Sequence, residues 1–257
     1  MKKSLTLAFV LLIFNSLLYA QKYVTVGAGV SGAFYNSKGL KEFKETYNLM
    51  NQNYLKQLMK GLSQPLGLRG EIAFRYFSDR FNFAGLAGLQ HYTIKDVAEY
   101  HNTESRYFEL KATGLYLEGE FGLNFDGFFV NGVVTLFHNN GVTLKSEYSF
   151  PPTTEETIKA LDGNFKGESY YSTDLGMAFG IVKEPIVISL KVTYPVYAVG
   201  GSAVLRDKNS TKVTMGTDIF PDDYGAYLFS EPYDGIKSNI DGLKILLTVA
   251  FVIPLGD

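Results

Sequence analysis

Eight stretches of this chain alternate apolar with polar residues, and turn-forming residues bound each stretch. Because successive side chains of a β-strand point to opposite faces, a period of two predicts strands. The predicted strands cover residues 23–35, 66–77, 82–100, 107–125, 128–147, 170–182, 186–200 and 242–255. The pattern therefore predicts an all-β fold.

Two kinds of connection join these strands. Tight turns are predicted at residues 78–81, 126–127 and 183–185. The remaining connections, three of them long, cover residues 36–65, 101–106, 148–169 and 201–241. Barrels of the bacterial outer membrane have an even number of strands, short periplasmic turns and longer external loops. The alternation predicts an eight-stranded antiparallel up-and-down transmembrane β-barrel with both termini in the periplasm.

The two faces of the predicted strands differ in chemistry. A soluble sandwich or a lipocalin-like barrel is the alternative for such a meander, but charges inside an apolar core would carry a large desolvation cost. One face of the last strand carries the apolar residues Ile245, Leu247, Val249, Phe251 and Ile253. The opposite faces of several strands carry four acids and four bases, namely Arg69, Glu71, Arg75, Glu118, Glu120, Asp174, Lys191 and Lys244. We expect these charges to pair with one another in a filled polar lumen, since an eight-stranded barrel is barely wide enough for its own side chains.

The N-terminal segment has the pattern of an export signal. Lys2 and Lys3 precede the apolar stretch 5–18, and Leu18-Tyr19-Ala20 is a plausible cleavage site. This predicts a signal peptide at 1–20 and a barrel domain at 21–257 in the outer membrane of a Gram-negative bacterium. The sequence has no cysteine, so neither a disulfide framework nor a lipid-modified cysteine is expected.

Composition narrows the class of partner. The chain has 18 Tyr, 20 Phe and 26 Gly, which suits a barrel with aromatic girdles at both membrane interfaces. Its net charge of −2 argues against nucleic acid as a partner. The expected partners are outer-membrane lipid, lipopolysaccharide and a protein that contacts the external loops.

The architecture resembles the small eight-stranded outer-membrane barrels of the OmpA/OmpX type and the broad family that includes PorT-like proteins. The resemblance extends over the whole predicted mature chain and lies in its strands and loops, not in a signature motif. It implies the fold and the location. Members of these families differ in role, including adhesion, membrane anchoring, envelope integrity and assistance to secretion machinery.

The first long loop has the pattern of an amphipathic helix. Apolar residues recur at spacings of three and four from Leu40 to Leu62, with Ser37 as the expected N-cap and Gly61 as the expected C-cap. Its lysines suit either an anionic lipopolysaccharide surface or a protein partner, and the alternative is a lid over the barrel mouth. With tyrosines from the long third and fourth strands, the predicted partner surface comprises Lys41, Lys44, Tyr47, Tyr54, Lys56, Tyr100 and Tyr107.

No catalytic residues, metal site or cofactor are predicted. His101, Glu104 and Ser105 are neighbours in one short loop, but a triad needs a rigidly held geometry. The acidic segment 218–234 matches no calcium-loop spacing. We therefore expect a non-enzymatic structural or interaction protein. An accessory barrel of a secretion or envelope-assembly system, a narrow channel and a lipopolysaccharide-modifying enzyme stay as alternatives.

Overall fold

The computed structural model describes residues 21–101, 103–149, 162–201, 203–206, 236–237 and 239–255. The predicted signal peptide and the acidic segment 218–234 lie outside the described residues. Within these ranges no helix has the length and the apolar character needed to cross a membrane.

Eight long antiparallel strands form a closed ring. The strands and the helix of the structure are β1 (Gln21–Tyr35), α1 (Lys38–Asn51), β2 (Leu55–Gln57), β3 (Leu66–Phe77), β4 (Phe81–Tyr100), β5 (Ser105–Phe125), β6 (Phe128–Ser149), β7 (Gly163–Lys166), β8 (Tyr170–Lys183), β9 (Ile186–Gly200) and β10 (Gly242–Pro254). Around the ring each long strand pairs with the next one in sequence, and β1 pairs with β10 to close it. Short strands β2 and β7 add to the upper edges of β4 and β6. The predicted eight-stranded barrel is confirmed.

The short connections define one end of the barrel, which we call the turn end, and the long connections define the loop end. At the turn end, Asp126 and Gly127 have φ of 52° and 89° between β5 and β6. Positive φ at both central residues matches a type I′ hairpin turn, for which Asp-Gly is a favoured pair. The sequence therefore fixes this turn locally, and with it the register of the two strands.

Strands β4, β5 and β6 are 20, 21 and 22 residues long, whereas β3 has 12. Their pairing continues from the turn end up to Glu99↔Ser105 and Ser105↔Ser149. Since a membrane-spanning strand needs about 9–11 residues, these three strands continue beyond the barrel wall. We call the part of these strands nearest the loop end the ribbon; it comprises residues 91–99 of β4, 105–113 of β5 and 141–149 of β6.

Helix α1 is shorter than predicted. Ser37 is the N-cap, and its hydroxyl accepts a hydrogen bond from the Leu40 N–H at 3.3 Å. The helix ends at Asn51, with Gln52 as its C-cap, so the prediction that it extends to Gly61 is wrong. The apolar spacing persists past Asn51 because Leu55, Met59 and Leu62 are also buried, although they belong to β2 and to the loop that follows it.

Candidate functional site

Six charged side chains form a closed ring of ion pairs in the middle of the lumen, which we call the lumen ring. Arg69, Glu71 and Arg75 come from β3, Glu118 and Glu120 from β5, and Lys191 from β9. Going round the ring, the nitrogen–oxygen distances are 3.1 Å for Arg69–Glu71, 3.7 Å for Glu71–Arg75, 3.1 Å for Arg75–Glu120 and 2.7 Å for Glu120–Lys191. Lys191 also contacts Glu118, and Glu118 lies 3.2 Å from Arg69, which closes the ring. Three positive and three negative groups leave the ring neutral.

Uncharged neighbours complete the ring. The Tyr116 hydroxyl accepts a hydrogen bond from Arg69 Nε at 2.6 Å, and the guanidinium lies 3.6 Å from the centre of the Tyr116 ring. Asn131 donates to Glu120 at 3.1 Å. Gly88 makes room for Tyr116, because a Cβ at that position would lie 2.3 Å from the tyrosine hydroxyl. Ion pairs and hydrogen bonds of this kind make buried charges tolerable, whereas loss of one partner is costly.

The other two predicted lumen residues form a separate pair nearer the loop end. Lys244 on β10 lies 2.7 Å from Asp174 on β8 and 2.8 Å from Asp241, which precedes β10. All three side chains are almost fully buried. The eight lumen charges named from the sequence therefore divide into a ring of six and this pair.

Apolar side chains fill both mouths of the barrel. At the turn end Tyr23, Phe77 and Phe129 pack together, with ring centres 6.1 and 5.9 Å apart along the series. At the loop end Phe43 and Tyr47 of α1 contact Phe108 of β5 edge-to-face, each at 5.4 Å. The helix is therefore a lid, and buried side chains occupy the two mouths and the middle of the described lumen.

This packing corrects part of the predicted partner surface. Tyr47 and Tyr100 are only 2% and 3% exposed, and their hydroxyl oxygens lie 2.8 Å apart beneath the lid. The prediction that they contact a partner is wrong, because both tyrosines belong to the face of α1 and β4 that covers the lumen. Spacing alone could not distinguish this face from an exposed aromatic stripe.

The other members of that surface are accessible. Tyr54 and Tyr107 are 41% and 49% exposed. Lys41 and Lys56 are also exposed, and each lies 4.0 Å from a carboxylate, those of Glu45 and Glu99 respectively. Lys44 lies half-buried in the middle of α1.

Sequence reasoning missed a second group of charges, on the outer face of the ribbon. Lys95, Glu109 and Lys145 stand opposite one another on β4, β5 and β6. Glu109 lies 2.7 Å from Lys111 and 3.4 Å from Lys95. The hydrogen bond from Lys111 lowers the pKa of Glu109 from its ordinary value. For Lys95 and Glu109 the signal was present in the alternation, because both occupy outward positions that are apolar nearer the turn end of the same strands. A bulge shifts the register of β6 before Lys145, so the alternation alone would have placed that residue on the inner face.

The histidines form no catalytic group among the described side chains. His91 Nδ1 lies 2.7 Å from the Thr113 hydroxyl on the outer face of the barrel. In the loop predicted to hold His101 beside Glu104 and Ser105, Glu104 instead accepts a hydrogen bond from the Tyr148 hydroxyl. The His101 N–H donates to the Tyr54 carbonyl at 3.0 Å, which anchors the backbone of the loop tip.

A cavity of about 580 Å³ opens at the turn end below the apolar cluster. Asp79, Asp126 and Glu184 contribute to its lining, and the Tyr23 hydroxyl donates to Glu184 at 2.6 Å. No group of acidic, histidine or cysteine side chains in the described ranges has a geometry suited to a metal ion. This mouth of the barrel is therefore acidic.

The outer surface of the ring is an apolar band. On β5 the outward residues from Phe125 to Leu115 are about half exposed. With a rise of about 3.3 Å per residue and a strand tilt of about 40°, this stretch covers about 25 Å along the barrel axis. Aromatic residues border the band, namely Tyr76, Phe81, Phe125 and Phe128 at the turn end and Tyr171, Tyr194 and Tyr197 at the loop end. A closed ring with an apolar exterior and a charged interior matches the architecture that outer-membrane barrels require.

The chain therefore has the fold of a small eight-stranded outer-membrane barrel.

Comparisons with known proteins were made with both sequence and structure. No protein-family model matches the sequence, and no curated protein matches it. Similar solved structures include Ail, the attachment invasion locus protein of Yersinia pestis, in complex with the heparin analogue sucrose octasulfate, at 10% identity and a TM-score of 0.42 over 91% of this chain and 99% of that chain. The outer membrane protein OprG from Pseudomonas aeruginosa is 11% identical, with a TM-score of 0.40 over 91% and 97% of the two chains. The outer membrane protease OmpT from Escherichia coli is 8% identical, with a TM-score of 0.33 over 92% and 96%.

Proposed function

We propose that this barrel is a non-conducting, non-enzymatic interaction protein of the outer membrane, which uses its loop end to bind the anionic lipopolysaccharide layer. In this proposal both termini and the turn end lie in the periplasm, and α1 and the ribbon lie outside the cell. The barrel wall anchors these elements in the membrane.

The ribbon carries this proposal. From Thr113 to Ser105, β5 extends about 20 Å beyond the apolar band, and β4 and β6 pair with it along this length. A barrel needs no such extension to close. The first outward charges above the band include Lys95, Lys111 and Lys145, each in an exposed or half-exposed ion pair with Glu109 or Glu147. These charges lie at the height where phosphates of a lipid layer would be. Each lysine near an anionic membrane surface contributes about 1 kcal/mol of attraction.

The filled lumen supports the absence of conduction. A water path would have to cross the lumen ring and both apolar mouths, and these groups are fully buried. Purified protein in planar bilayers is expected to give no reproducible conductance steps. Regular open-channel steps would favour the narrow-channel alternative.

Binding to lipopolysaccharide-containing vesicles tests the proposed role. The variant Lys95→Gln/Lys145→Gln removes two charges from the ribbon and keeps most of each side chain. We expect it to weaken vesicle binding about 30-fold at low salt, from the loss of about 2 kcal/mol. The matched control Lys22→Gln/Lys183→Gln removes two exposed charges from the turn end and is expected to bind as the parent does.

The salt dependence of binding and the comparison with the turn-end control can each contradict the proposed role. Binding by the parent protein is expected to weaken as salt rises, because exposed charges are screened beyond about 10 Å at 0.1 M. If the control weakens binding as much as the ribbon variant, attraction through the loop end is refuted. A change in lipid acylation caused by the parent protein would instead support an enzyme.

A further inference from the structure

A cavity of about 390 Å³ lies at the loop end between the start of α1 and the loop at residues 60–63. We call it the lysine cavity. Four lysines contribute to its lining, and no acidic residue does: Lys38, Lys41, Lys44 and Lys60. The remaining lining combines polar and aromatic residues, including Tyr35 and Ser37, with the apolar residues Leu40 and Leu62. A concave site lined by four cations and no anion favours a ligand with several negative charges.

Neighbouring carboxylates do not neutralise the quartet. Lys38 lies 3.4 Å from Glu42 and Lys41 lies 4.0 Å from Glu45, both as exposed pairs one helical turn apart. Such exposed pairs are weak. Lys44 and Lys60 form no ion pair with a carboxylate of the described residues. Two of the four lysines therefore form no ion pair, and the other two form only weak ones.

Both walls of the lysine cavity are fixed to the barrel rim. The Tyr35 N–H donates to the Ser63 carbonyl at 2.7 Å, and the Asn36 N–H donates to the Asp241 carbonyl at 3.1 Å. The Gly61 N–H donates to the buried carboxylate of Asp96 at 2.6 Å. The lysines are thus mounted on a framework that holds its shape without a ligand.

The backbone conformation at Gly61 allows the loop at residues 60–63 to approach Lys44 of α1. Gly61 has φ of 118°, and a Cβ there would lie 3.0 Å from Lys44 Cδ, so the aliphatic part of Lys44 crosses over this glycine. Lys60 is the preceding residue of the chain. Such a conformation strains any residue other than glycine, so Gly61 lets the segment that carries Lys60 pack against the stem of Lys44.

The position of the lysine cavity relative to the apolar band indicates which class of anion it can reach. Its lining begins at Tyr35, and Phe34 is the last outward apolar residue of β1, 47% exposed. The cavity therefore lies directly above the apolar band, at the height of lipid headgroups. We propose that it binds a saccharide carrying two phosphate groups, as in the headgroup of a phosphorylated glycolipid. This inference deepens the proposed function and rests on it only in taking the loop end to be external.

The experiment uses the full-length protein in phosphatidylcholine nanodiscs and two probes. One probe is a soluble bisphosphorylated glucosamine disaccharide without acyl chains, and the other is the same disaccharide carried as bisphosphorylated lipid A in vesicles. Three variants each remove two charges: Lys44→Gln/Lys60→Gln in the cavity, Lys95→Gln/Lys145→Gln on the ribbon and Lys22→Gln/Lys183→Gln at the turn end. Heat-modifiable migration in gels confirms that each variant is folded.

With the soluble probe we expect the cavity variant to raise Kd at least tenfold, the ribbon variant to raise it less than threefold and the turn-end variant to leave it unchanged. Binding of both probes would identify a membrane glycolipid as the source, and binding of the soluble probe alone would identify a free saccharide. No measurable binding by the parent protein, equal weakening by the cavity and ribbon variants, or unchanged binding after dephosphorylation of the disaccharide would overturn the inference. The proposed function fails separately, if ribbon and cavity variants both bind lipopolysaccharide vesicles as the parent does.

Discussion

The lumen ring and the loop end both carry many charged side chains. The two regions differ in the balance of positive and negative charge and in the burial of the side chains. The ring side chains are at most 4% exposed, and positive and negative charges are equal in number. At the loop end Lys38, Lys95 and Lys111 are 80%, 74% and 44% exposed, and positive charge is in excess in the lysine cavity. Neutral burial stabilises the fold, whereas exposed excess charge is available to a ligand.

The largest effect expected from this difference comes from the lumen ring. Lys191→Met would leave Glu118 and Glu120 buried without their shared cation, and we expect a loss of about 3–5 kcal/mol in the free energy of unfolding. Urea titration in phospholipid vesicles measures it. Lys145→Met on the ribbon is the matched control, with an expected loss of less than about 1 kcal/mol. Equal losses would remove the distinction between the two regions.

A smaller effect is expected on the outer face. Val249→Arg places a charge on the apolar band, where Val249 is 43% exposed, and should cost about 2–4 kcal/mol in the same titration. Val249→Leu is the control and should be nearly neutral. A cost for the arginine variant no greater than that of Lys145→Met would mean that this position does not face lipid.

The lid gives a prediction of about 1 kcal/mol. Ser37→Ala removes the hydroxyl that accepts from the Leu40 N–H, and loss of an N-cap typically costs about 0.5–2 kcal/mol. We expect faster hydrogen exchange at Leu40 and weaker binding in the lysine cavity, because Ser37 helps to form its wall. Ser37→Asp keeps an acceptor and should retain slow exchange. Unchanged exchange in the alanine variant would show that the start of α1 is held by lid packing alone.

The smallest effect on stability is expected at Glu109, a carboxylate on the outer face of the ribbon, in contrast to the buried carboxylates of the lumen ring. Because its pKa is lowered in the folded state, its contribution is present above the ordinary glutamate pKa of about 4.3 and is lost as the pH falls through the lowered value. Exposure limits this contribution to at most about 1 kcal/mol. Glu109→Gln should therefore change stability little and increase vesicle binding, since Lys95 and Lys111 lose their anion. A decrease in vesicle binding would contradict this role for the ribbon.

The sequence predicted the strands well because the period of two reports which face each side chain occupies, whatever its partners are. This is why Arg69, Glu118 and Lys191 could be assigned to one surface. Their pairing could not be predicted, because it depends on how β3, β5 and β9 are placed around the ring. The end of α1 at Asn51 was missed because buried residues of the following loop continue the helical spacing. The lysines of the first loop, Lys60 included, were expected on the polar face of one long helix. The cavity between them was missed because Lys60 lies in a loop that folds back beside α1.

The lumen ring also has a consequence for how the barrel assembles. Its members come from β3, β5 and β9, and in the ring of strands none of these three is adjacent to another. Until β9 is in place, the two arginines of β3 face three glutamates, so a partly assembled sheet would carry one carboxylate in excess. Electrostatic neutrality is reached only when the late strands arrive. The ion pairs thus couple insertion of the last hairpins to closure of the barrel and disfavour incomplete sheets within the membrane.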